Sequence, residues 1–190
     1  MHVRTNACAL AAVTLWILPL SSPAQERMEL TALDYIEIEQ LVAKYGRAID
    51  TCSNNGYDYA DLFTPDGIFL PVVNGRPIPG IQGRERLAEV SGGGSNECRN
   101  VGWIEQGVRH IYSNHIITPT PDGATGTVDM MMIGLDGDPN KIAYDGYYED
   151  VYVKTGQGWR FRQRTHHALL VGGRPAEDPE PPAATSDDGR

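Results

Sequence analysis

The sequence predicts an α+β domain whose sheet is antiparallel. Helical periodicity fills the first half of the folded part of the chain, and strand-like runs divided by short turn signals fill the second. A third observation bears on what the fold is for. The run from Gly107 to Ile117 has the β-branched and aromatic content of a strand, yet it carries polar, ring-bearing side chains on faces that a plain strand would keep apolar.

Residues 1–24 read as an export signal. Met1–Arg4 is a short positive start, Ala9–Leu20 is an apolar run of twelve, and Ser22-Pro-Ala24 offers small residues at a cleavage site before Gln25. Twelve apolar residues are too few to span a bilayer, and no other run approaches the roughly 20 required. Cys8 stands before the apolar run, badly placed for lipid attachment. The mature chain is then expected to be soluble, periplasmic or extracellular, and about 166 residues long, which suits one domain over residues 25–171. Loss of Arg4 takes the formal net charge from −9 to about −10. An acidic chain with no basic stripe argues against nucleic acid as a partner. Arg160, Arg162 and Arg164 alternate along one strand and read as a solvated outer face. No cysteine and histidine spacing matches a metal site. Cys52 and Cys98, the cysteines left after processing, are a candidate disulfide in an oxidising compartment, with two buried thiols as the alternative.

The first element is a helix from about Thr31 to Asp50. Thr31 with Asp34 resembles a capping box, and Leu33, Ile36, Leu41, Val42, Tyr45, Ala48 and Ile49 recur at helical spacing. Tyr57–Phe63 reads as a short second helix, Thr64–Gly67 as a turn, and Ile68–Val73 as a strand confined by Pro71 to an edge or an irregular pairing. Gly83–Val90 reads as a third helix, and Ser91–Asn96 as a flexible loop. That loop lacks the Gly-Lys-Ser/Thr ending of a phosphate-binding loop, so no nucleotide cofactor is implied. Turns at 121–123, 136–140 and 155–158 divide three runs, Ala124–Leu135, Lys141–Lys154 and Trp159–Val171. The acidic, proline-rich tail 172–190 has almost nothing to bury and is expected to be disordered.

Two residues stand out. Period-2 alternation puts His110, Tyr112, Asn114 and Ile116 on one face of the strand, with Ile111, Ser113, His115 and Ile117 on the other. Asp50 sits in the last helical turn, where a carboxylate faces the negative end of the helix dipole. Either Asp50 caps the turn that follows, or it meets His110 in a pocket.

Ile38–Asp50, Ala60–Gly67, Gly83–Leu87, Arg109–Asn114, Gly146–Asp150 and Gly158–Phe161 together resemble a SnoaL-like protein of the NTF2-like superfamily, across roughly residues 33–165. The resemblance implies a cone: a curved antiparallel sheet wrapped around N-terminal helices, with an internal pocket. This fold serves dehydratases, isomerases, dehydrochlorinases, epoxide hydrolases and binding modules, so it does not name a reaction. Scytalone dehydratase and the hexachlorocyclohexane dehydrochlorinase carry an Asp–His dyad, and Asp50 and His110 stand at the matching places. Asp129 and Asp145 are the acids available for an epoxide-hydrolase pattern, with no arginine obviously paired to them. Homodimers through the sheet are common among such proteins.

The resemblance and the residues imply a cofactor-independent lyase or isomerase acting on a small, mostly apolar molecule. His110 is the candidate base and Asp50 orients it; such a base is worth roughly 10²–10⁴-fold. Tyr45, Tyr112, Asn114 and Tyr148 are candidates for binding the polar end of the substrate. His167 joins them, because Trp159, Phe161 and Thr165 set the inward parity of the last strand, while His115 is expected on the outer face. The alternatives are a binding or accessory module with an inert pocket and, further off, a hydrolase.

Overall fold

In a computed structural model, residues 29–99, 101–105, 107–134, 138 and 140–170 are described, with backbone alone at 143, 144 and 170. The segment expected to be an export signal and the tail expected to be disordered fall outside these residues.

Helix α1 spans Ala32–Thr51 and opens with the expected capping box: the Thr31 hydroxyl accepts from the Asp34 amide, and Asp34 accepts from the Thr31 amide. Asp34 does more than cap. It is buried and also accepts from Lys154 Nζ at 2.6 Å and Trp159 Nε1 at 3.0 Å, so the helix start is bolted to the last hairpin. Lys154, helped by Thr31, holds its carboxyl well below the usual range. Ile38, Leu41, Val42, Tyr45, Ala48 and Ile49 form the buried stripe.

The helix ends at Cys52, which takes the left-handed conformation at φ 48°. Helix α2 (Tyr57–Ala60) is shorter than its sequence pattern, and β1 (Phe63–Val73) absorbs the expected turn at Thr64–Gly67 as an irregularity in its pairing. Two short strands, β2 (Arg76–Pro77) and β3 (Ile81–Gln82), flank β1, exchanging around Pro71. Helix α3 (Arg84–Val90) follows. The glycine run after it is not loose: Ser91–Gly94 are buried. A single turn, α4 (Gly102–Glu105), leads into β4 (Arg109–Thr120), β5 (Gly123–Ile133), β6 (Ile142–Thr155) and β7 (Gly158–Leu170).

The sheet is curved and unclosed, in the order β2-β1-β7-β6-β5-β4, with β3 also on β1. It is mixed rather than purely antiparallel, because β1 runs parallel to β7. Strand β4 is an edge, which lets it run through Pro119 without losing a ladder partner on both sides. The inner face packs on α1. Among the described residues no helix is long and apolar enough to cross a membrane.

Two bulges control which side chains enter the interior. On β4, Asn114 and His115 together oppose Val128, with Asn114 at φ 51°. On β7, Arg162 is the extra residue between Phe161, paired with Tyr152, and Gln163, paired with Val151. Each bulge reverses the inward parity of its strand. Arg164, His166 and Ala168 therefore face in, and the expectation of an outer face for Arg164 and an inner one for His167 is overturned.

Cys52 and Cys98 are joined in a disulfide that closes a 46-residue separation and holds the segment before β4 against the end of α1. In the chain-entropy account a loop of this length contributes about 3–4 kcal/mol. A Cys52→Ala/Cys98→Ala variant should lose about that much in chemical unfolding without reductant. Unchanged stability would show that the bridge constrains nothing.

Candidate active site

Asp50 and His110 meet. The Asp50 Oδ1 to His110 Nδ1 distance is 2.6 Å, and both side chains are about 95% buried, at 4% and 5% exposure. The His110 amide also donates to the same carboxylate, at 3.3 Å to Oδ1 and 3.2 Å to Oδ2. The carboxylate at the helix C-terminus thus takes its donors from β4 rather than from the turn after α1. Trp103 helps to set the approach: its Nε1 donates to Ile49 O, and its carbonyl accepts from the amide of fully buried Val108, two residues before His110. With Nδ1 given to a carboxylate, the neutral ring keeps its proton there and leaves Nε2 as the basic nitrogen.

His110 lines a cleft of about 560 Å³ between α1 and β4, together with Asp50, Tyr112, Val42, Gly46 and Val128. Tyr112 stands one step along the same face, its ring stacked at 6.4 Å from His110. It lies on α1 where Gly46 leaves room, since a Cβ there would sit 2.7 Å from the tyrosine ring. Burial raises the Tyr112 hydroxyl well above its ordinary pKa, and the hydroxyl has no hydrogen-bond partner.

The other expected site residues divide. Tyr148 faces inward and is buried, with its ring stacked on His166 at 4.6 Å. Tyr45 is buried core, its hydroxyl 3.2 Å from that of Tyr59. Asn114 lines the same cleft as His110, at its exposed margin, where the bulge leaves its amide donating to exposed Asp129. His167 also lies outside, stacked on Tyr147 and 2.7 Å from Glu149. His115, expected outside, turns in, its Nε2 3.0 Å from the hydroxyl of Tyr152, which donates to Asp150. Asp129 and Asp145 are both exposed and do not assemble the two-carboxylate water site of a hydrolase. Among the described residues no three His, Cys, Asp or Glu side chains converge as metal ligands would.

Arg164 and His166 are the interior residues that sequence reasoning missed. The Arg164 side chain is fully buried, with its guanidinium 3.8 Å from the Tyr148 ring centre, 4.0 Å from Tyr45 and 4.6 Å from Phe161. Asp150 Oδ2 is 3.4 Å away. Burial pushes the Asp150 carboxyl up to about 6, against the pull of Arg164. His166 is mostly buried, with Nε2 unpartnered; burial, then the charge of Arg164, push its imidazole down to about 3. A bulge at Arg162 is what put both inside, and nothing in Arg-Phe-Arg-Gln-Arg marks one.

A curved sheet wrapped on a long helix, with a carboxylate–imidazole pair where the helix end meets the edge strand, defines a cone-type α+β protein with a side-chain site at its rim. The match to the SnoaL-like domain model covers residues 30–165, and the chain belongs to that family. No curated protein sequence matches it. Similar solved structures include an NTF2-like protein with a cystatin-like fold from Novosphingobium aromaticivorans, at 22% identity and TM-score 0.58, covering 75% of this chain and 84% of that one. A protein of unknown function from Nostoc punctiforme has 25% identity and TM-score 0.56, with 82% and 98% covered. A candidate scytalone dehydratase, also from N. aromaticivorans, has 22% identity and TM-score 0.55, with 73% and 85% covered. At these identities the likeness speaks for the fold.

The depressed His166 gives a pH prediction. Its folded pKa, about 3, lies below the ordinary 6.5, so the unfolded chain binds a proton there that the folded chain refuses. That contribution to stability is complete above pH 6.5 and is lost as pH falls toward 3. Replacing His166 with Phe should flatten the acid-side loss of unfolding free energy between pH 6.5 and 4, by up to about 1.4 kcal/mol per pH unit. The comparison is the difference between variant and wild-type denaturation curves, which cancels the opposite titration of Asp150. Parallel curves would mean that His166 takes its proton freely in the fold.

Proposed function

We propose that this protein is a lyase or isomerase that removes a proton from a small, mostly apolar organic molecule, needing no cofactor for that step. The observation that carries the reading is the 2.6 Å contact between the Asp50 carboxylate and His110 Nδ1 at the wall of a cleft. His110 Nε2 takes the proton from carbon. Asp50 fixes the tautomer and stabilises the imidazolium that forms. In a lyase the C–H electron pair becomes the new double bond while a hydroxide or halide leaves with its own pair. In an isomerase the same proton returns at another carbon. The buried Tyr112 hydroxyl is the neighbouring donor for charge gathering on oxygen or halide.

Export and self-association complete the reading. Export is supported by the positive start and apolar run of residues 1–20. A homodimer through the sheet is supported by the exposed apolar side chains Ile111, Met131 and Leu169 on its outer face. A monomer mass at micromolar concentration, or retention of a fusion in the cytoplasm, would remove one or the other.

A second reading, a ligand-binding module, is favoured by the unpartnered interior atoms of Tyr112, Arg164 and His166, which suit a bound molecule with or without turnover. Variants separate the two. On a substrate found by screening cyclic alcohols, halides and enolisable ketones, His110→Ala should lower kcat by about 10²–10⁴-fold, and Asp50→Asn should lower it as well. Full turnover by His110→Ala would remove the dyad from the mechanism. Binding that survives both substitutions, with no compound turned over by the wild type, would leave the binding module.

A further inference from the structure

The end of the sheet far from His110 carries a second cleft, which shares no lining residue with the first. His110 pairs with Met132, and that backbone row continues through Tyr144 to Leu170, at one end of the β6–β7 hairpin. The second cleft lies at the other end, where residues 156 and 157 join β6 to β7. Its volume is about 760 Å³, and it is more enclosed than the cleft at His110. Strand β1 pairs with β7 at Phe63 and again only from Ile68, and the loosened stretch between them supplies Thr64 and Pro65 to the wall.

Part of the lining is apolar and continuous with the core, because Ala60, Phe63 and Leu87 are all buried core residues. Two arginines complete it, and they differ. Arg84 is already engaged: it forks onto Asp61, 2.6 Å from Nε and 2.8 Å from Nη2, and lies over the Tyr57 ring at 4.2 Å. Arg160 is half-buried and gives only Nη1, to the Trp159 carbonyl at 2.9 Å. Its Nε and Nη2 have no partner among the described residues. Those two donors form the edge of a guanidinium that takes a carboxylate in bidentate fashion. Arg84 thus answers the charge of Asp61, and Arg160 is the cation left over. A neighbouring cleft shares Arg160 and Asp61 and adds Lys44, Arg47 and Asp58. Across the two linings four cations meet two carboxylates, a local positive excess in a chain of net charge −9. A field of that sign concentrates anions where it is focused.

We propose that this cleft is a second binding site, for a small organic monocarboxylate whose apolar body lies against Phe63, Pro65 and Leu87 and whose carboxylate is held by Arg160 Nε and Nη2. It goes beyond the proton-transfer reading and needs nothing from the dyad. Recognition divides as it does in other small-molecule sites, with apolar surface giving affinity and one placed charge giving orientation. An inorganic anion would offer the charge without the body, and an alcohol the body without the charge.

Binding tests this with octanoate and 2-naphthoate, each beside its own uncharged amide. At least one carboxylate should bind the wild type saturably, shift the Nε–H resonance of Arg160, and bind at least about tenfold more tightly than its amide. Arg160→Met keeps an apolar stem and removes the charge. It should weaken that carboxylate about tenfold or more, the worth of a hydrogen bond to a charged group, and leave the amide unchanged. Arg160→Lys, which keeps the charge without the fork, should recover part of the loss. His110→Ala should bind the carboxylate like wild type. Four outcomes overturn the proposal: no carboxylate binds saturably, acid and amide bind alike, Arg160→Met binds the acid as tightly as wild type, or the Arg160 resonance stays still at saturation. Binding lost in His110→Ala and kept in Arg160→Met would put the probe in the dyad cleft and overturn it equally. The resonance and the acid–amide comparison use the wild type alone, so they hold even if a variant fails to fold.

Discussion

A guanidinium with no exposure to water organises the centre of this molecule. Removing Arg164 from solvent costs several kcal/mol, and a single carboxylate 3.4 Å away does not recover it. The remainder comes from ring faces. Tyr45 from the helix, Tyr148 from β6 and Phe161 from β7 enclose the cation within 4.6 Å, with Tyr112 from β4 at 5.7 Å. Desolvated contacts of this kind reach about 2 kcal/mol each. One buried charge therefore ties four elements into a single core, and it sets the electrostatics of everything near it. Burial first, then this charge, keep His166 neutral, while at Asp150 the charge opposes the rise that burial imposes.

The rim works on another principle. A carboxylate in the last turn of a helix is repelled by the dipole, and Asp50 is stable there because β4 presents both its His110 amide and its ring to the oxygens. The geometry leaves Asp50 no freedom to serve the turn that follows. It also fixes the imidazole, so that the candidate base is already oriented before anything enters the cleft. The disulfide two residues on, at Cys52, secures the segment that leads into the strand.

Much of this was legible in the chain. The periodicity of residues 32–50 placed the long helix, the turn signals placed β5 to β7 within a residue or two, and an acid at a helix end followed by a histidine on a polar strand marked the rim. The interior was not legible, because alternation carries a side chain's direction only while a strand stays regular. At Asn114 a sign existed: asparagine tolerates the left-handed conformation that such a bulge needs. At Arg162 there was none, so Arg164 read as surface and His167 as pocket. The parallel pairing of β1 was hidden for a different reason. It joins segments about a hundred residues apart, and no local pattern records it.

That distant pairing bears on the order in which the molecule can be made. Strand β1 lies between its two short companions and β7, which is the last strand of the domain. The start of α1 likewise finds Trp159 and Lys154 only in the final hairpin. Contacts this far apart close slowly, because the intervening loop must be ordered before they can form. A nascent chain that has not yet reached Gly158 holds a helix, a meander and an unmatched β1, but neither the aromatic enclosure nor its cation. The sheet can therefore close on β1 only after Gly158–Leu170 has been made, and the buried cation reaches its rings at the same step.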